Sequence, residues 1–221
     1  MAPGFFGLLK EPSLVDASRA RALEMLRTTQ EMFRIAVVAL RQDANPPVQD
    51  KLRLLDQQVN QGQQDVRRKV FEALSLSQGK DLVAGLRLLN IVIDLERIGD
   101  YTKNLAELDE MFPRSLDFGE YTAVVEEVIE GTGRLFTITH DVILGGEREL
   151  AEKGLSVYQR ISVQCDSHIR LAMRYESDDG MVPRDLIALV LLLRFIKRVA
   201  AHLKNVCSTE VSPFDRMGRR L

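Results

Sequence analysis

Glu96, Asp100 and Asn104 recur at intervals of four residues along the segment Leu95-Glu96-Arg97-Ile98-Gly99-Asp100-Tyr101-Thr102-Lys103-Asn104. In a helix that spacing stacks three oxygen-bearing side chains in one row up a single face. A divalent cation takes several oxygen ligands with negative charge among them, so the row is suited to hold one. Glu107, three residues after Asn104, extends the row. The competing reading is plainer. Asp56 and Glu96 pair with Arg53, Arg97 or Arg87 in an ion-pair lattice, contributing about 0.3–0.5 kcal/mol per exposed pair.

Other chemistries lack their residues. A di-iron bundle needs Glu-x-x-His, yet the residues three before His140, His168 and His202 are Thr137, Cys165 and Val199. No His-Glu-x-x-His, phosphate-cradling loop or Cys/His zinc spacing is present, and Gly131-Thr132-Gly133 and Gly145-Gly146 read as helix ends rather than a nucleotide fingerprint. His202, on one row with Arg198 and Asn205, reads as a hydrogen-bonded structural histidine. Cys165 and Cys207 have no CxxC spacing and no activating base nearby in sequence, so they read as buried free thiols.

The elements that must position the row are helices. From Leu86 to Ile93 only Arg87 and Asn90 interrupt the apolar residues, too much apolar surface for an outer helix, which predicts that the polar end carrying Glu96 lies near the interior. Ser13-Leu14-Val15-Asp16 after Pro12 predicts a capped start to a first long helix, which Asn45-Pro46-Pro47 must end. A second helix is expected over about 48–76, with a break at Ser77 to Gly79, and a third over about 80–112, stopping at Pro113. The theme repeats after Pro113, with helices over about 121–144 and 147–175, then a last helix from about Pro183 to Val211. No stretch alternates as a half-exposed strand does, so an all-α fold of two tandem three-helix bundles is expected, divided into 1–113 and 114–221.

Hydrophobic residues at 45% and charged residues at 28% of the 221 describe a folded chain rather than a disordered one. A net charge of −2 supplies no basic field for nucleic acid, and Arg216, Arg219 and Arg220 read as a solvated tail. The uncharged apolar run Leu186 to Leu193 is far short of the roughly 18–20 residues of a membrane span. The first nine residues carry no basic flank or cleavage site; Phe5, Phe6, Leu8 and Leu9 are expected to dock on the bundle or a partner. Free thiols without a leader point to the cytoplasm.

Glu96-Arg97-Ile98-Gly99-Asp100 followed by Lys103-Asn104-Leu105-Ala106-Glu107 resembles the signature of the PhoU family, helical phosphate-transport regulators whose ExxxD segments line metal sites. Lys80-Asp81-Leu82 resembles the family's Asp-Leu-Arg start of the same helix, and Asp56-Gln57-Gln58-Val59-Asn60 its preceding acidic segment; Phe5-Phe6-Gly7-Leu8-Leu9 is also similar. The resemblance is specific over residues 50–110 and weak afterwards. It implies a non-catalytic adaptor whose partners are a phosphate ABC transporter and its sensor kinase at the cytoplasmic membrane face, or a sodium/phosphate or Pit-type transporter, with homodimerisation in view. It further implies a divalent transition metal (iron, zinc, nickel or manganese) at Glu96, Asp100, Asp56, Asn60 and Asn104. Asn60, in the place of an acid, would weaken that site. The alternative function is a metal-dependent hydrolase or oxidoreductase using the same row, for which no base or nucleophile is evident; a bundle with neither role is the third.

The second half departs from the family pattern. Arg198 to Asn205 lies over Arg97 to Asn104 at an offset of about one hundred residues, and Arg184-Asp185-Leu186 over Lys80-Asp81-Leu82 with about three residues missing. Lys197 then stands at the place of Glu96 and Ala201 at that of Asp100, while Tyr158 to Ser162 replaces Asp56 to Asn60. An ammonium there repels a cation and removes a ligand, so metal is expected in the first repeat only.

Overall fold

A computed structural model describes residues 13–40, 48–111, 118–174 and 182–212, with backbone alone at 109 and 110. Ser13 caps the first helix, α1 (Leu14–Ala39): its hydroxyl accepts the Asp16 backbone N–H at 3.1 Å and donates to the Asp16 carboxylate at 2.7 Å. This satisfies one of the donors left open at a helix start. The second helix, α2 (Gln49–Leu76), gives way to a turn in which Gln78 (φ 50°) and Gly79 (φ 88°) are left-handed, and the chain reverses into α3 (Leu82–Met111). A 3-10 turn, Gly119–Tyr121, leads into α4 (Thr122–Gly145), which stops where Gly145 takes φ 127°. Then come α5 (Arg148–Ala172) and α6 (Pro183–Val211), the latter opened by Pro183 in its first turn, where its missing N–H is not needed.

These six helices are the expected ones to within a few residues, and no strand occurs among the described residues. One expectation is corrected. Gly131 and Gly133 sit inside α4 rather than at a helix end. Gly131 instead lets α5 come close, since a Cβ there would meet Ile161 Cγ1 at 3.1 Å. The Asn45-Pro46-Pro47 stop, Phe112, Pro113, Tyr175, the N-terminal Phe5 to Leu9 and the Arg216 to Arg220 tail lie outside the described residues, as does the expected division at 113/114.

The helices form two sets of three, α1 to α3 and α4 to α6. The sets meet chiefly through α3 against α6, with a smaller contact of α1 on α4 where Phe33 and Phe136 place their rings 5.6 Å apart. A single hydrophobic core runs through both sets. Its centre is built from Leu95, Ile98 and Leu105 of α3 and Leu189, Ile196 and Leu203 of α6, all fully buried. Burial on two sides explains why α3 and α6 have the near-continuous apolar sequences of inner helices, while α2 and α5 carry the polar outer faces. Among the described residues no helix is long and apolar enough to cross a membrane.

Candidate functional site

The packing of α2 against α3 brings Asp56 and Asn60 beside Glu96 and Asp100. At their centre is an ammonium. Lys103 Nζ lies 2.8 Å from Asp56 Oδ1 and 3.1 Å from Asp100 Oδ1, bridging the two helices. Asn60 Nδ2 donates to the other oxygen of Asp56 at 3.2 Å. Arg97 covers the outer side, 3.4 Å from Asp100 Oδ2 and 3.7 Å from Glu96 Oε2. The three carboxylates are partly rather than fully interior, from 18% exposed at Asp56 to 36% at Asp100.

The electrostatics follow from this crowding. Burial, and then the neighbouring Asp100 carboxylate, raise the Glu96 pKa above the ordinary glutamate value. Burial pulls the Lys103 pKa down, but hydrogen bonds to Asp56 and Asp100 outweigh it and the net shift is upward. Glu96, Asp100, Asp56 and Asn60 thus lie together around Lys103. Asn104 is half-buried one turn on, without a hydrogen bond to this cluster among the described residues, and Glu107 is exposed.

The donor types suit a hard or borderline divalent ion, but the arrangement does not. Lys103 holds the position between Asp56 and Asp100 that a cation would take, and Asn60 already directs its amide N–H at Asp56. Among the described residues no group of three or more His, Cys, Asp or Glu is arranged to hold a metal ion. As they stand, the residues fit an internal ammonium, and a divalent ion enters only by displacing it. Of the arginines of the alternative lattice, Arg97 pairs with Glu96 at 3.7 Å as that reading has it, whereas Arg53 is engaged with Asp50 at 3.6 Å and Arg87 with Glu210 at 3.3 Å. The i, i+3 spacing of Asp100 and Lys103 is the signal for this contact in the sequence, and it marks an ion pair rather than an oxygen ligand.

At the matching place in the second set, Lys197 Nζ lies 2.5 Å and 2.6 Å from the two carboxylate oxygens of Asp166 on α5. Between the sets, His202 Nδ1 lies 2.7 Å from Asp94 Oδ1, which also accepts from Asn205 Nδ2 at 2.9 Å, and the His202 ring stacks on Tyr101 with centroids 5.5 Å apart. A carboxylate can only accept, so Nδ1 is the protonated nitrogen. His202 is thus tied into the α3–α6 contact by Asp94, a residue without any distinguishing local signal in the sequence. The thiols are deeply buried, and burial pushes Cys165 up to about 12 and Cys207 up to about 11, far from the range of a nucleophile near neutral pH.

Residues 22–108, which include α2 and the whole acidic row, match the family model described as the PhoU domain. A phosphate-specific transport system accessory protein PhoU homolog from Pseudomonas putida is 24% identical over 200 residues, which are 87% of this chain and 75% of that protein. The crystal structure of PhoU from Pseudomonas aeruginosa has the same fold, with a TM-score of 0.80 at 20% identity over 90% of this chain and 95% of that one.

Proposed function

We infer from the PhoU domain that residues 22–108 of this chain carry that the protein is a non-catalytic regulator of phosphate transport and phosphate-responsive signalling. The observation that carries this reading is the acidic row itself: Glu96 and Asp100 of α3 meeting Asp56 of α2 inside that domain. The name of the Pseudomonas putida relative, a phosphate-specific transport system accessory protein, supports it. In this reading the chain consists of two repeats, 1–113 and 114–221, and works in the cytoplasm. Its partner is a phosphate transporter, its sensor kinase, or both, at the inner membrane face, and it acts alone or as a homodimer.

The regulator makes and breaks no bond. It binds one state of its target better than another, and the target's equilibrium shifts by that difference in affinity. The buried, high-pKa thiols fit such a role, since neither serves as a nucleophile. Asp56, Glu96 and Asp100 would hold iron, zinc, nickel or manganese only weakly, and only with Lys103 displaced from between Asp56 and Asp100. Affinity capture of the tagged chain from phosphate-fed cells tests the reading. Recovery of a phosphate transporter subunit or a sensor kinase is expected; repeated capture of neither would overturn it.

A further inference from the structure

The second three-helix set presents the electrostatic inverse of the first. Where Glu96 and Asp100 stand in α3, α6 has Lys197 and Ala201, and beside them a cavity of about 520 Å3 opens between α5 and α6. Four cations line it: Arg194, Lys197, Arg198 and Lys204. The acid that lines it, Asp166, is matched by Lys197 at 2.5 Å. Arg194 and Arg198 are exposed at the rim, and neither has a carboxylate partner among the described residues. Lys204 is buried with its Nζ 5.9 Å from the centre of the Tyr158 ring, and burial lowers its pKa, a cost that an anion in the cavity would relieve. In a chain whose net charge is −2, this concentration of positive charge around one concavity is local and directed.

We propose that the α5–α6 cavity is a binding site for a phosphate-bearing small anion, gripped by Arg194, Lys197 and Arg198. Guanidinium forks match the paired oxygens of a phosphate, and Lys197 adds a point charge at the floor. Asp166 keeps acceptor positions that a protonated phosphate oxygen can meet and a sulfate cannot. The volume falls in the range of about 300–1,000 Å3 typical of small-molecule sites, room for a phosphorylated metabolite as well as for phosphate itself. The anion site stands on the cavity and its charges. The choice of phosphate rests on the regulatory reading above.

Isothermal titration of the full chain at neutral pH and low salt, with inorganic phosphate, metal-free ATP and sulfate in separate arms, tests it. The expected result is saturable binding of phosphate or ATP at one site, weakened at least about tenfold in the Arg194→Ala/Arg198→Ala variant, whose two changes are exposed and leave the urea midpoint in place. Saturation by inorganic phosphate identifies the free ion as ligand, and saturation by ATP alone a phosphorylated metabolite. Binding of neither, equal binding by the variant, or sulfate binding as tightly as phosphate overturns the proposal. Phosphate uptake in cells lacking the chain separates the two readings. If the chain binds neither probe yet its loss alters uptake, the cavity proposal fails and the regulatory reading stands.

Discussion

Replacing Lys103 by methionine keeps the aliphatic stem and removes the charge that joins α2 to α3. The ammonium is 2.8 Å from Asp56, whose side chain is 18% exposed, and 3.1 Å from Asp100, at 36%. That setting lies between an exposed ion pair, worth about 0–1 kcal/mol, and a fully buried one, whose breaking costs about 3–5 kcal/mol. The expected loss is about 1–2 kcal/mol at neutral pH, since Asp56 keeps only the Asn60 amide, and Asp100 and Glu96 keep only Arg97 of their two neighbouring cations. For a chain of this size that is a fall in Tm of roughly 3–6 °C. The pH dependence has a definite sign. The folded Lys103 pKa is raised above 10.5, so its contribution is fully present below that value and is lost as pH rises through the folded pKa. Urea unfolding of both proteins at neutral pH and again above pH 10.5 measures the difference. Equal urea midpoints at neutral pH, with equal slopes, would refute the assignment of Lys103 as the internal cation of the row.

Glu96→Gln keeps the shape of a carboxylate that burial and Asp100 make costly to ionise. Because the folded pKa is raised, the ionised wild type loses stability as pH rises from 4.5 through the folded value, so the variant has a higher urea midpoint than wild type at neutral pH and no advantage below 4.5. Gly154→Ala places a methyl 2.8 Å from Cys207 Sγ and 3.2 Å from Ile138 Cγ2. Overpacking of about 1–3 kcal/mol outweighs the about 1 kcal/mol gained in helix propensity, so thermal unfolding shows a net loss. In a Cys207→Ala background the same change relieves the clash, and a double-mutant cycle returns a coupling above about 0.5 kcal/mol.

The helices were legible because their punctuation is chemical: the Ser13 cap, the Gln78-Gly79 reversal, Gly145 and Pro183 each mark an end by backbone geometry or a missing donor. Gly131 lies inside α4 rather than at its end for a related reason. Glycine at a close helix crossing and glycine at a helix terminus look the same in one dimension, and only the nearness of Ile161 tells them apart. The acidic row is legible from i, i+4 spacing, but the contact of Lys103 with Asp56 joins two helices and has no mark along the chain. The link of Asp94 to His202 spans 108 residues and depends on α3 lying against α6, for which neither residue carries a local mark. The charge reversal at Lys197 and Ala201 could be read from the offset between repeats, but that the reversal borders a cavity is a property of α5 and α6 packing.

A role for this chain in phosphate transport is measured by radiolabelled phosphate uptake in its own cells. The gene is deleted, then restored as wild type or as the Glu96→Ala/Asp100→Ala variant. Uptake under phosphate-replete growth is expected to change when the chain is absent, and to recover with the wild type but not with the variant. Uptake indifferent to deletion would contradict that role.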